Sequence, residues 1–227
     1  FNTYKGTVVY NMYPTNKWGL HVKTTYQHTD GFRDYGFNNS QAVTVKTGYK
    51  INDKQTIDIL SMNGWHKNGQ GWLGNTLEEL AVNPMANGNT KAETDNWFMS
   101  MNRIQYKMWA TDNLLVSSSV YYQFQDGSYR MDLDNYMRRM VGENSNTNIL
   151  YDYGLTHRMV GANLVGKYYM NPVTLTVGTN GYTFSRDHFL DNKSVNTTDA
   201  DYYSNRGIKT DVTTFAMLQY KPVRELT

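Results

Sequence analysis

Trp18-Gly19-Leu20-His21-Val22-Lys23-Thr24-Thr25-Tyr26-Gln27-His28-Thr29 sets the period of the whole chain. Trp18, Leu20, Val22 and Tyr26 share one parity; Gly19, His21, Lys23, Thr25 and Gln27 hold the other. Successive side chains of a strand point to opposite faces, so this segment has one apolar face and one polar face. Pro14-Thr15-Asn16-Lys17 turns the chain just before it, and a strand over 2–13 precedes that turn. Downstream, the same reading gives strands over 40–51, 55–66, 96–109, 114–126, 157–170, 173–186 and 208–221, nine in all. In the third strand the apolar face is Val43, Val45, Tyr49 and Ile51. The sixth sets Leu114, Val116, Val120, Tyr122 and Phe124 against Ser117, Ser119, Gln123 and Gln125. In the fifth strand Arg103 and Lys107 share a parity with Trp97, Met99 and Trp109, which suggests a bulge in the fourth or fifth strand. Asp132 to Val141, inside a loop, is the one helix candidate.

The connections alternate in length. Turns of a few residues join strands one to two, three to four, five to six and seven to eight. The other four connections are long, so every long loop falls at one end of the sheet. Structureless loops beyond about 12–15 residues are uncommon in compact domains. Short turns at one end and long loops at the other are the pattern of an outer-membrane barrel. Strands of about thirteen residues, tilted by about 45°, cross a hydrocarbon core of about 25–30 Å. Trp18, Tyr26, Tyr49, Trp109 and Tyr122 lie near strand ends, where interfacial girdles form. The expected fold is therefore all-β, a transmembrane antiparallel β-barrel. Nine strands do not close a bacterial barrel, and open edges in lipid leave backbone groups unpaired. The chain is read as one portion, 1–227, of a larger barrel. Its ends agree: Phe1-Asn2-Thr3-Tyr4-Lys5 starts in strand-like sequence, and Pro222 to Thr227 reads as a turn and the start of another strand.

Composition fits this reading. With no cysteine there is no disulfide framework, thiolate site or cysteine nucleophile. A net charge of +2 gives no general attraction to nucleic acid. Mean hydropathy is −0.67, which a barrel with a polar interior accounts for.

The loops carry a family resemblance. Asn68-Gly69-Gln70-Gly71-Trp72-Leu73-Gly74 is followed by Leu77-Glu78-Glu79-Leu80, Asn83-Pro84, Asn87 and Glu93-Thr94-Asp95-Asn96. His28-Thr29-Asp30-Gly31-Phe32, Tyr121-Tyr122, Asp126-Gly127-Ser128-Tyr129, Gly178-x-x-Gly181-Tyr182 and Arg186-Asp187-His188 occur in order around it. Together these resemble TonB-dependent outer-membrane receptors of the Bacteroidetes type. The resemblance implies a barrel of about twenty-two strands. It also implies energised import of a scarce nutrient such as a ferric siderophore, haem or cobalamin. The implied partners are a small-molecule ligand, the TonB–ExbB–ExbD complex acting through an N-terminal part outside this sequence, outer-membrane lipid and a surface lipoprotein. A plug domain and a TonB box, two parts of the family, are not in this sequence. A passive porin-like channel and a surface adhesion barrel are the alternatives.

No catalytic constellation is legible: HExxH, GxSxG and the P-loop are all missing. No cofactor or resident metal is implied. His28, His66, His157 and His188 fall at strand ends on the long-loop side. If Asn171-Pro172 makes a tight hairpin, partners across strands seven and eight sum to 343. His157 then faces Arg186, with His188 one step beyond, all on the parity opposite Val160, Ala162 and Leu164. Such a rim either binds an anionic or metal-bearing ligand or orders the long loops. Trp72, Tyr129, Arg130, Tyr136, Arg138 and Arg139 form a second candidate set in the loops, because aromatic and Arg side chains make good anchors. The twelve Met scatter over strands and loops and read as apolar filler.

Overall fold

A computed structural model describes residues 2–144, 146–194 and 200–221. Nine strands run β1 Thr3–Thr15, β2 Trp18–Thr29, β3 Asn38–Asn52, β4 Gln55–Gly69, β5 Thr94–Trp109, β6 Leu114–Asp132, β7 Leu150–Met170, β8 Val173–Asn192 and β9 Ala200–Tyr220. Each pairs antiparallel with the next in a single sheet ordered β1 to β9, leaving β1 and β9 as its edges. The turn and strand start expected over 222–227 lie outside the described residues.

The strands are longer than the alternation predicts, and all the extra length lies toward the long loops. β6 continues to Asp132, β7 begins at Leu150 and β8 runs to Asn192. Tyr129 and Arg130 are thus strand residues, and His157 and His188 stand inside their strands rather than at the ends. Ladder hydrogen bonds need only backbone groups, so pairing continues where side chains no longer alternate. The long connections shrink accordingly to 30–37, 70–93, 133–149 and 193–199.

Registry fixes two faces. The apolar one carries Val8, Ile104, Val120, Leu164, Val212 and Leu218, each at least half exposed. Among the described residues Leu73 is the only buried hydrophobic side chain, and it sits in a loop. A sheet that turns its large aliphatic side chains outward and keeps no apolar core takes its stability from a hydrocarbon surround.

The bulge expected in β4 or β5 is not there: β4–β5 and β5–β6 pair without a shift. Arg103 and Lys107 simply lie on the polar face, where Lys107 Nζ is 3.1 Å from Asp58. Trp97, Met99 and Trp109 go with them. Trp109 is therefore not part of an outer girdle; it packs at 5.6 Å from Tyr169 on the polar side. On that side Tyr121 also reaches across Gly161 to donate to Asn180 Oδ1 at 3.1 Å.

The apolar face has one polar interruption. Ser61 Oγ donates to Asn102 Oδ1 (2.7 Å), and Asn102 Nδ2 to Ser100 Oγ (2.8 Å). Ser100 Oγ donates to Asn63 Oδ1 (2.7 Å), and Asn63 Nδ2 closes the ring on Ser61 Oγ (3.0 Å). Each side chain gives one bond and takes one, so the ring is tolerated beside Val43, Val45 and Tyr122.

Candidate functional site

Two regions gather the residues singled out above. The first is the polar face of β6–β9, just below the loops. The Asn171-Pro172 turn sets the β7–β8 register, and His157 pairs with Arg186 as expected. His188 lies one step beyond on the same face, opposite Leu155. The Phe184 ring lies between the first two: 5.3 Å from the His157 ring and 5.1 Å from Arg186 Cζ. His157 Nδ1 and Arg186 Nε are buried without a hydrogen-bond partner.

Above them the strand extensions build an aromatic wall that alternation did not reveal. Tyr129 packs on Tyr153 at 5.2 Å, and Tyr153 lies 6.4 Å from both His188 and Tyr203. Tyr151 meets Tyr202 edge-on at 5.1 Å. Continuing the parity of His157 upward through Tyr153 and Tyr151 is the signal that finds them. Arg130 takes the other parity: it clasps Asp152 through two bonds of 2.7 and 2.8 Å.

The second region is the loop cap. The short helix α1, Leu77–Val82, was not expected, although Thr76-x-x-Glu79 is a capping box. The candidate over 132–141 does coil, as α2 Leu133–Tyr136 followed by a π-helical turn Met137–Val141. These two loops are stitched together. Arg139 donates to Gly74 O at 2.8 Å and to both Glu79 oxygens at 3.2 Å. Trp72 and Tyr136 stack at 6.0 Å, and Arg138 donates to Asn135 Oδ1 at 2.8 Å. Backbone donation from Thr76, then the Arg139 guanidinium, holds the Glu79 carboxyl below the usual carboxylate range.

Glu93 underlies the cap and is 1% exposed. It accepts from Thr90 N (2.7 Å), Asn135 Nδ2 (2.9 Å) and Asp132 N (3.4 Å). Asn87 Nδ2 donates to Asp34 O and Gln70 O, bringing in the loop after β2. The Asn and Glu positions of the loop motif thus tie three loops together. Trp72, Tyr136, Arg138 and Arg139 converge in the cap; Tyr129, His157, Arg186 and His188 converge on the wall; Arg130 joins neither. Among the described residues no three His, Asp or Glu side chains form a cluster able to hold a metal ion.

This strand order matches solved receptor and transporter barrels. The unliganded ferric citrate transporter FecA superposes with a TM-score of 0.76 at 7% identity, over 96% of this chain and 32% of its own. The chain shares their fold. The ferric yersiniabactin uptake receptor FyuA from Yersinia pestis gives 0.68 at 9% identity, over 98% of this chain and 43% of its own. The ferric-catecholate import receptor Fiu from E. coli K12, in its open form, gives 0.64 at 11%, over 97% and 40%. The chain therefore spans about a third to two-fifths of the length of these structures. No protein-family model and no curated protein matches the sequence. Among the described residues no helix is long and apolar enough to cross a membrane, which leaves crossing to the strands.

Proposed function

We propose that this chain, 1–227, is part of the wall of an outer-membrane, TonB-dependent receptor that imports a scarce nutrient as an anionic metal chelate. The supporting observation is the superposition on the ferric citrate transporter over 96% of the chain, with all long connections at one end. Strands beyond β1 and β9 close a barrel of about twenty-two. TonB–ExbB–ExbD drives it through parts outside this chain, and the loop motif points to a receptor of the Bacteroidetes type with a surface lipoprotein as partner. Its task is transport, not catalysis. Arg186, His157, His188 and Tyr129 form the ligand-facing wall, and Trp72, Tyr136, Arg138 and Arg139 the cap above it. Arg130 serves the wall indirectly by fixing β6 to β7 through Asp152.

Deleting the gene and following labelled ferric chelates into iron-starved cells tests this reading. Uptake that falls in the deletion strain, and that a protonophore abolishes in the parent, supports it. Uptake unaffected by the protonophore indicates a passive channel. Unchanged uptake, with transcription flat under iron starvation, overturns the iron-chelate reading.

A further inference from the structure

Below the His157–Arg186 level, the polar face of β4–β6 holds a recess of about 380 Å³. Its floor is methionine. Met62 and Met101 are directly opposed across β4 and β5, and Met99 lies two residues from Met101 on the same face. Gln123 and Gln125 continue these rows on β6, and His157 follows Gln125 on β7. All six side chains line the recess. Scattered in sequence, these methionines read as filler; the register makes them one patch.

Two features set the patch apart from a plain apolar contact. The three Met remain 44% (Met62), 48% (Met99) and 42% (Met101) exposed, so their sulfurs are free of a packed core. The far side of the recess offers an imidazole whose Nδ1 is buried and unpartnered. No carboxylate lines the recess, so a hard cation such as Ca²⁺ or Mg²⁺ has no ligand there. Neutral thioethers and an imidazole are the donor set that selects soft ions. The facing charge is Arg186, three strand spacings (roughly 14 Å) from the Met101 backbone, with its guanidinium over Phe184.

We infer that Met62, Met99 and Met101, with His157 as the far donor, form a binding site for a soft monovalent cation of the Cu(I) or Ag(I) class. The inference stands on the wall itself and not on the import reading.

Anaerobic titration of the full-length protein in detergent with ascorbate-reduced Cu(I), against a chromophoric Cu(I) chelator, tests it. The wild type is expected to withdraw one equivalent. Met62→Leu, Met99→Leu and Met101→Leu combined keep the apolar volume and remove the sulfur donors. That variant is expected to weaken Cu(I) binding by about 100-fold or more. A wild type that takes no Cu(I), or a leucine variant that binds as well as wild type, overturns the proposal. A second measurement needs no substitution: Ag(I) added to methyl-labelled wild type should shift the resonances of these three methionines. Shifts in none of them also overturn it.

Discussion

His157 and Arg186 stand directly opposite one another across β7 and β8, with the Phe184 ring against both. Arg186 makes no ion pair among the described residues, and its Nε is unpartnered. An arginine left uncompensated on a polar wall is available to an anionic ligand. Arg186→Gln in the full-length receptor should weaken binding of an anionic chelate by about tenfold or more, the loss of one charge-assisted hydrogen bond. The folded barrel should be unaffected, because no protein partner is lost. Binding isotherms, with heat-modified gel mobility as the folding control, check both halves. Unaltered affinity removes Arg186 from the ligand wall.

His157→Ala combined with His188→Ala separates ligand binding from loop ordering. Lost affinity with unchanged protease resistance of the loops is the expected outcome. Loops that become protease-sensitive while affinity holds assign the pair to the rim.

Glu93 lies under the loop cap and accepts from three donors. Glu93→Gln replaces one acceptor oxygen by a donor facing N–H groups. The expected cost is about 1–3 kcal/mol, localised to the cap. Proteolysis within 70–93 and 133–149 should accelerate while the strands stay protected, as mass mapping of the fragments would read.

The Glu79 carboxyl is held low by the Thr76 N–H and then by Arg139. A depressed carboxylate contributes stability that is present above its unfolded pKa and lost as pH falls through the folded one. Docking of α1 onto the π-helical turn should therefore persist at pH 6 and loosen only below about pH 4. Hydrogen exchange across 76–83 measures it. The pH dependence should vanish in Glu79→Gln; a wild-type transition retained in that variant would exclude Glu79 as its source.

The Ser61–Asn102–Ser100–Asn63 ring is closed, so a single break strands a partner on the apolar face. Asn102→Leu should destabilise the barrel by about 1–3 kcal/mol. Replacing all four positions by apolar residues of similar shape should come close to neutral, since no unpaired group remains. Urea unfolding in liposomes distinguishes the two.

The sequence alone determined the nine strands, the side on which the long loops lie and the apolar parity of most strands. It also determined the His157–Arg186 pairing. These follow from local rules: side chains alternate with period two, and a two-residue turn leaves one register open. The fifth strand misled because Trp97, Met99 and Trp109 are apolar on a polar face, and composition cannot tell a luminal wall from a lipid surface. Only the tertiary structure decided the rest. The extensions of β6 to β9 are held by backbone pairing that does not require alternation, so Tyr151 and Tyr153 were unreadable as a wall. The cap joins residues far apart in sequence, Glu93 with Asn135 and Glu79 with Arg139, where no local period applies. Met62 and Met101 became neighbours by the same route, because registry across β4 and β5 exists only once the strands have paired.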